Sequence, residues 1–145
     1  MYLTLFHRKQ GIQKVMQTSN VNLKGIADTA LRNWIKGVET GAWREYLDLL
    51  TEDYTFLVPS SGYSTLGLDF EKNQEEKQKA AFQKMRRMAY SKQPDRTSTG
   101  GTTVVYEFIV ESPVDQNLHC LALSFDVLGN KISACREYHC VLMQY

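Results

Sequence analysis

The residues with most chemical promise lie near the C-terminal end, in Cys135-Arg136-Glu137-Tyr138-His139. In an extended strand alternate side chains share a face, so Ser133, Cys135, Glu137, His139 and Val141 fall together. Glu137 and His139 are then neighbours. A carboxylate beside an imidazole orients the ring and raises its proton affinity, which makes an acid/base pair usable near neutral pH. The same spacing fits an ordinary ion pair on a solvent or subunit-contact face, because perturbed pairs also occur in structural networks. Glu107, inside Val104-Val105-Tyr106-Glu107-Phe108-Ile109-Val110, is a second isolated carboxylate. Val104, Tyr106, Phe108 and Val110 form the more apolar side of that strand. Glu107 therefore takes the more polar side, facing water unless that side curls into a cavity.

His119 could join Glu137 and His139 around a metal, but a catalytic metal usually needs three protein ligands in suitable geometry. Only Glu137-x-His139 has a clear spacing, so no metal is expected. The three cysteines, Cys120, Cys135 and Cys140, include no C-x-x-C pair, and their odd number cannot close into a full disulfide set. All lie in apolar, strand-like runs, where free cysteine behaves as a small hydrophobe. That pattern predicts buried thiols in a reducing cytoplasm. No G-x-S-x-G, phosphate-binding loop, dinucleotide glycine fingerprint, H-E-x-x-H or calcium-loop pattern occurs. The expectation is chemistry without a cofactor.

These groups need a scaffold, and the composition supplies one. The 145 residues suit one domain. At that size roughly 70% of the unfolded surface is buried, so neither a metal nor a disulfide is needed for stability. Apolar residues at 43% and charged residues at 23% exclude collagen-like and disordered classes. Seventeen Lys+Arg against 16 Asp+Glu give a net charge of +1, which offers no field to recruit nucleic acid or an anionic membrane. No window reaches the ~18 apolar residues of a membrane span. The start, with Tyr2–Phe6 followed by His7-Arg8-Lys9, does not read as a secretory signal. Residues 1–20 are expected to form a loosely ordered extension, with one domain over 21–145 and a cytoplasmic location.

Ile26, Ala27, Ala30, Leu31, Trp34, Ile35 and Val38 recur at helical spacing and predict a helix over about Asn22–Gly41. A shorter helix is predicted over Ala42–Thr51 and a strand over Glu52–Pro59. A short return strand at Tyr63–Leu66 follows, then a helix over Asp69–Tyr90. That helix is polar in its first half and carries Ala81, Phe82, Met85, Met88 and Ala89 as a stripe in its second. Ser91–Gly101 reads as a loop. Lys84, Arg86, Arg87, Lys92 and Arg96 cluster around the helix end and read as a solvated basic face. Strands are predicted at Thr102–Glu111, Leu118–Leu128 and Lys131–Leu142, the last two joined by a Gly129-Asn130 hairpin. This order is α+β, with helices packed on one face of an antiparallel sheet.

With those elements in place the chain resembles the nuclear transport factor 2-like superfamily, including its SnoaL-like, polyketide cyclase-like branch. Trp34, the Gly41-Ala42-Trp43 break, Leu49-Leu50-Thr51-Glu52-Asp53 leading into a strand that ends at Pro59, Gly67, and Gly129-Asn130-Lys131-Ile132 leading into Arg136-Glu137-Tyr138 carry the likeness, over about residues 22–142. The resemblance implies a cone, in which a strongly curved sheet wraps around three helices and leaves a pocket. It also implies that the Glu137 face lines that pocket, and that copies pair as a homodimer through the outer sheet face. Members include ketosteroid isomerases, dehydratases, epoxide hydrolases and polyketide cyclases, as well as modules without catalysis, so the fold alone does not select among them.

Ketosteroid isomerase-like members place a base just before the proline that ends the first strand, where this chain has Val58. Epoxide hydrolase-like members use Arg-x-Asp on one strand with a second acid on the last. Here Glu137 matches the last, while Val105-Tyr106-Glu107 offers a carboxylate without the arginine. Cyclase-like members need one acid in an apolar cavity, which Glu137 satisfies, with His139 assisting. Trp34, Phe56, Val58, Tyr63, Glu107 and Cys135 are the residues expected to contact a small hydrophobic or polycyclic molecule. The alternative is a ligand-binding or dimerisation module without chemistry.

Overall fold

The structure is a computed structural model and describes residues 7–59, 63–66, 80–112 and 115–142, with the side chains of 7–21, 63–66 and 80–82 outside the description. Helix α1 runs His7–Thr40, well before the predicted start at Asn22. Of the predicted stripe Ala27, Ala30, Leu31, Trp34 and Val38 are buried, Ile26 and Ile35 are partly buried, and Leu23 joins them at the N-terminal side. Gly41 stops it in the left-handed conformation (φ 77°), and its N–H donates to the Gly37 carbonyl at 2.8 Å. The predicted second helix is cut down to one turn, α2 at Arg44–Leu47, because strand β1 already begins at Leu50 and runs to Val58.

Strand β2 is Tyr63–Leu66, and helix α3 is described over Ala80–Tyr90. The polar first half of the predicted third helix, from Asp69, lies outside the described residues, as do Phe82's side chain and Gly67. Strand β3, Arg96–Gly100, replaces part of the predicted loop. Its five residues are all exposed, so no buried alternation advertises it. Strands β4 (Thr103–Glu111), β5 (Leu118–Leu128) and β6 (Lys131–Leu142) fall within a residue of their predicted bounds.

The six strands form one curved sheet in the order β2-β1-β6-β5-β4-β3. It is not wholly antiparallel as expected, because β1 and β6 run parallel. The inner face carries Tyr54 and Phe56 from β1, Tyr106 and Phe108 from β4, Leu121, Leu123 and Phe125 from β5, and Cys135 and Glu137 from β6, all at 0–1% exposure. Helices α1 and α3 pack on that face. Gly129 turns the β5–β6 hairpin at φ 65°.

A register shift between Asp126 and Val127 makes Ser133 an extra residue in β6. Ile132 therefore joins Cys135 and Glu137 among the buried side chains, and Ser133 leaves the face it was predicted to share with them. A bulge of this kind bends and twists its strand, which is what a sheet needs in order to curl around helices.

At Gly37 a β-carbon would sit 2.2 Å from Trp43 Cε3. Gly37→Ala is expected to lower stability by about 1–3 kcal/mol through this clash with a buried ring. That outweighs the ~1 kcal/mol gain in helix propensity. The midpoint of urea unfolding checks it, and a raised midpoint would mean that Trp43 moves aside freely.

Candidate active site

The inner face of β6 delivers Glu137 to the centre of the molecule, where its side chain is 0% exposed. Its partners come from α3. Arg86 Nε donates to Glu137 Oε2 at 3.0 Å, and the Tyr90 hydroxyl donates to the same oxygen at 2.7 Å. Arg86 Nη1 donates to Gln83 Oε1 at 3.2 Å, and Gln83 Nε2 donates to the Val38 carbonyl at 3.0 Å. One polar network thus ties the last turns of α1 to α3 and β6. The Arg86 guanidinium also lies 5.5 Å from the centroid of Trp34, a position that favours a cation over an aromatic face. Burial, and then the charge of Glu137, hold the Tyr90 hydroxyl well above its ordinary pKa, so it stays protonated and donates.

The second carboxylate oxygen is different. Glu137 Oε1 is buried and accepts no hydrogen bond among the described residues. A buried acceptor left without a donor costs about 1–3 kcal/mol, more when it is charged. Beside this oxygen's residue, Cys135 is fully buried, and burial pushes its thiol well up, which makes it a poor nucleophile. Tyr46 and Tyr54 pair through their hydroxyls at 2.9 Å, and burial raises both well above the ordinary tyrosine range.

His139 shares the Glu137 face, but its described hydrogen bond goes elsewhere. Its Nε2 lies 2.8 Å from Nδ1 of His119, and His119 Nε2 lies 3.0 Å from both carboxylate oxygens of Asp115. With both rings neutral, Asp115 takes the His119 Nε2–H. His119 Nδ1 is then the acceptor for the Nε2–H of His139. Burial and then the neighbouring His119 lower the pKa of His139. The predicted carboxylate–imidazole couple is therefore a carboxylate–arginine–tyrosine cluster, with a histidine pair further along the same face. Among the described residues no group of three or more His, Cys, Asp or Glu could hold a metal.

Trp34, Phe56, Val58 and Cys135, predicted to contact a ligand, are buried with Glu137 on the inner side. Glu107 is not. It sits on the outer face, half-buried, with Arg96 at 4.0 Å, because strand alternation gives the inner face to Tyr106 and Phe108. Tyr63 pairs with Val58 through β2, and its side chain lies outside the described residues. Arg86 overturns the reading of the basic cluster as wholly solvated, since it is 0% exposed. Gln83 and Tyr90 were not singled out, and Arg86 was read only as part of the basic cluster. The signal was the i, i+3, i+7 spacing of Gln83, Arg86 and Tyr90 on the stripe that also carries Met85 and Ala89. The thiol prediction also divides, because Cys135 is buried, Cys120 half-buried and Cys140 exposed.

A curved sheet wrapped around helices is the nuclear transport factor 2-like fold. A nuclear transport factor 2-like protein from Anabaena variabilis is 29% identical, with 82% of this chain and 90% of that one covered at a TM-score of 0.57. A nuclear transport factor 2-like protein of unknown function from Burkholderia xenovorans is 13% identical, with coverage of 87% and 88% and a TM-score of 0.52. A protein of ketosteroid isomerase-like fold from Catenulispora acidiphila, solved in complex with trimethylamine, is 12% identical, with coverage of 75% and 83% and a TM-score of 0.52. No protein-family model matches the chain, and no curated protein matches it. No helix among the described residues is long and apolar enough to cross a membrane.

Proposed function

We propose that the protein binds a small, mainly apolar molecule inside its cone. The molecule presents one hydrogen-bond donor to Glu137, and that carboxylate performs acid/base chemistry of the cyclase, isomerase or dehydratase kind without a cofactor. The single observation carrying this reading is the fully buried Oε1 of Glu137, which accepts no hydrogen bond among the described residues. Arg86 and Tyr90 fix Oε2 and so fix the direction in which Oε1 can accept. An acceptor held in place beforehand costs no reorganisation when a ligand or a developing charge arrives. Trp34, Phe56 and Phe125 give the interior around that network an aromatic, apolar character, which favours a flat, apolar body over a polar one. A solved relative in fold that holds trimethylamine agrees with a small ligand.

Binding without chemistry is the second reading. It draws support from the arginine that neutralises Glu137 and from the aromatic side chains that occupy the interior.

The probe pair 2-naphthol and 2-methoxynaphthalene tests the donor requirement. A hydrogen bond to a charged acceptor is worth about tenfold to a hundredfold in affinity. Wild type should prefer 2-naphthol by that factor, measured by quenching of tryptophan fluorescence, and Glu137→Gln should shrink the preference. Equal affinity for the two probes in wild type would remove Glu137 from ligand recognition. Catalysis is separated by deuterium exchange at the α-carbon of 2-tetralone in heavy water. Acceleration by wild type and not by Glu137→Gln supports the enzyme, and no acceleration leaves the binding module.

A further inference from the structure

Cys120 and Cys140 stand directly opposite each other on the antiparallel strands β5 and β6. They lie on the outer face, away from Glu137, since Leu121 and His139 take the inner positions between which they alternate. Directly opposed residues of an antiparallel pair have Cα atoms about 4.5 or 5.5 Å apart, depending on the hydrogen-bonding phase. Both values fall within the roughly 4.4–6.8 Å that a disulfide spans. Cys140 is exposed, Cys120 half-buried, and both are free thiols here. The thiols are close enough for Cys140 to be one of the influences, after burial, that push Cys120 up.

We propose that Cys120 and Cys140 form a reversible dithiol/disulfide site whose reaction partner is a small disulfide of the glutathione class. The exposed Cys140 reacts first. Its thiolate attacks one sulfur of the reagent, making a mixed disulfide and releasing one glutathione thiolate. Cys120 then loses its proton and attacks the Cys140 sulfur. The mixed disulfide breaks, the Cys120–Cys140 bond forms, and the second glutathione leaves. The protein gives up two electrons and two protons, and the reagent becomes two molecules of glutathione. Cys120 suits the second role because half-burial shields it from the reagent in solution while its partner lies across the ladder. Cys135 on the inner face is a bystander at 0% exposure.

The test is incubation of the full chain with excess oxidised glutathione at about pH 8, where thiolates are populated, followed by intact mass measurement and peptide mapping. The expected result is a loss of about 2 Da, the two thiol hydrogens. A Cys120–Cys140 peptide pair should appear, Cys135 should remain free, and dithiothreitol should restore the original mass. Cys120→Ser should stop at one glutathionyl group on Cys140, and Cys140→Ser should take up none. Accumulation of the glutathionyl form in wild type, a cross-link between two chains, or unreacted thiols would each overturn the proposal.

Discussion

Arg86→Met is expected to lower the unfolding free energy by about 3–5 kcal/mol, because it strands a fully buried carboxylate. The neighbours cannot compensate. Tyr90 still donates to Oε2, but Oε1 has no donor among the described residues and the positive charge is gone. A domain of this kind holds about 5–15 kcal/mol in total, so the variant sits near the edge of folding. Glu137→Leu should cost a similar amount for the opposite reason, since it removes the carboxylate that pairs with the fully buried guanidinium.

The informative result is the double variant Arg86→Met/Glu137→Leu. Removing both charges together removes both desolvation penalties, and well-packed apolar replacements of buried pairs are often neutral or stabilising. The double variant should therefore recover most of the loss, as seen in the midpoint of guanidinium unfolding followed by circular dichroism. A double variant as unstable as the sum of the singles would show that the pair does not act as a unit. A fully recovered double variant that no longer prefers 2-naphthol would locate the reason for the pair in ligand recognition, not in folding.

The scaffold was legible where burial leaves a period in the sequence. The α1 stripe from Leu23 to Val38 and the strands β4, β5 and β6 all bury alternate or helically spaced residues, and hydrophobic periodicity marks such segments. Strand β3 buries nothing, so Arg96–Gly100 had no pattern to show, and the parallel pairing of β1 with β6 is a tertiary choice. The bulge at Ser133 is likewise invisible to simple alternation, which is why Ile132 and not Ser133 shares the interior with Cys135.

In the site, Glu137 was readable as a candidate acid, and the resemblance, not strand alternation, implied that its face is the inner one. Its partner was not. Arg86 sits among Lys84, Arg87 and Lys92, where composition suggests solvent, and only its helical phase with Gln83 and Tyr90 marks it as internal. A charged residue in phase with an apolar helical stripe is best sought against an opposite charge on an inward strand position. His139 was legible as a neighbour of Glu137 along the strand, but its pairing with His119 depends on register across β5 and β6.

Trp34→Ala is expected to cost about 3–5 kcal/mol, the range for deleting a large buried aromatic side chain. Trp34 is 0% exposed and meets the edges or faces of Trp43, Tyr46, Phe56, Tyr90 and Phe125 at centroid separations of 5.5–6.5 Å. Those rings belong to the α1–α2 connection, α2, β1, α3 and β5, so one side chain joins every layer around Glu137. Edge-to-face pairs add about 0.5–1.5 kcal/mol each beyond simple area burial. The loss should also be less than additive with Arg86→Met, because Trp34 offers Arg86 its aromatic face and the two share one interaction. Guanidinium unfolding of the single and double variants measures this, with an unchanged slope showing that the denatured state is not altered. A cost below about 1 kcal/mol would mean that the interior collapses into the space, as poorly packed sites do. If the space persists, it is an apolar void beside the Arg86–Glu137 network, and such voids stay dry and accept aromatic guests. 2-Naphthol should then raise the unfolding midpoint of Trp34→Ala more than that of wild type, which would place Trp34 as the side chain that sets how much room the cone offers its ligand.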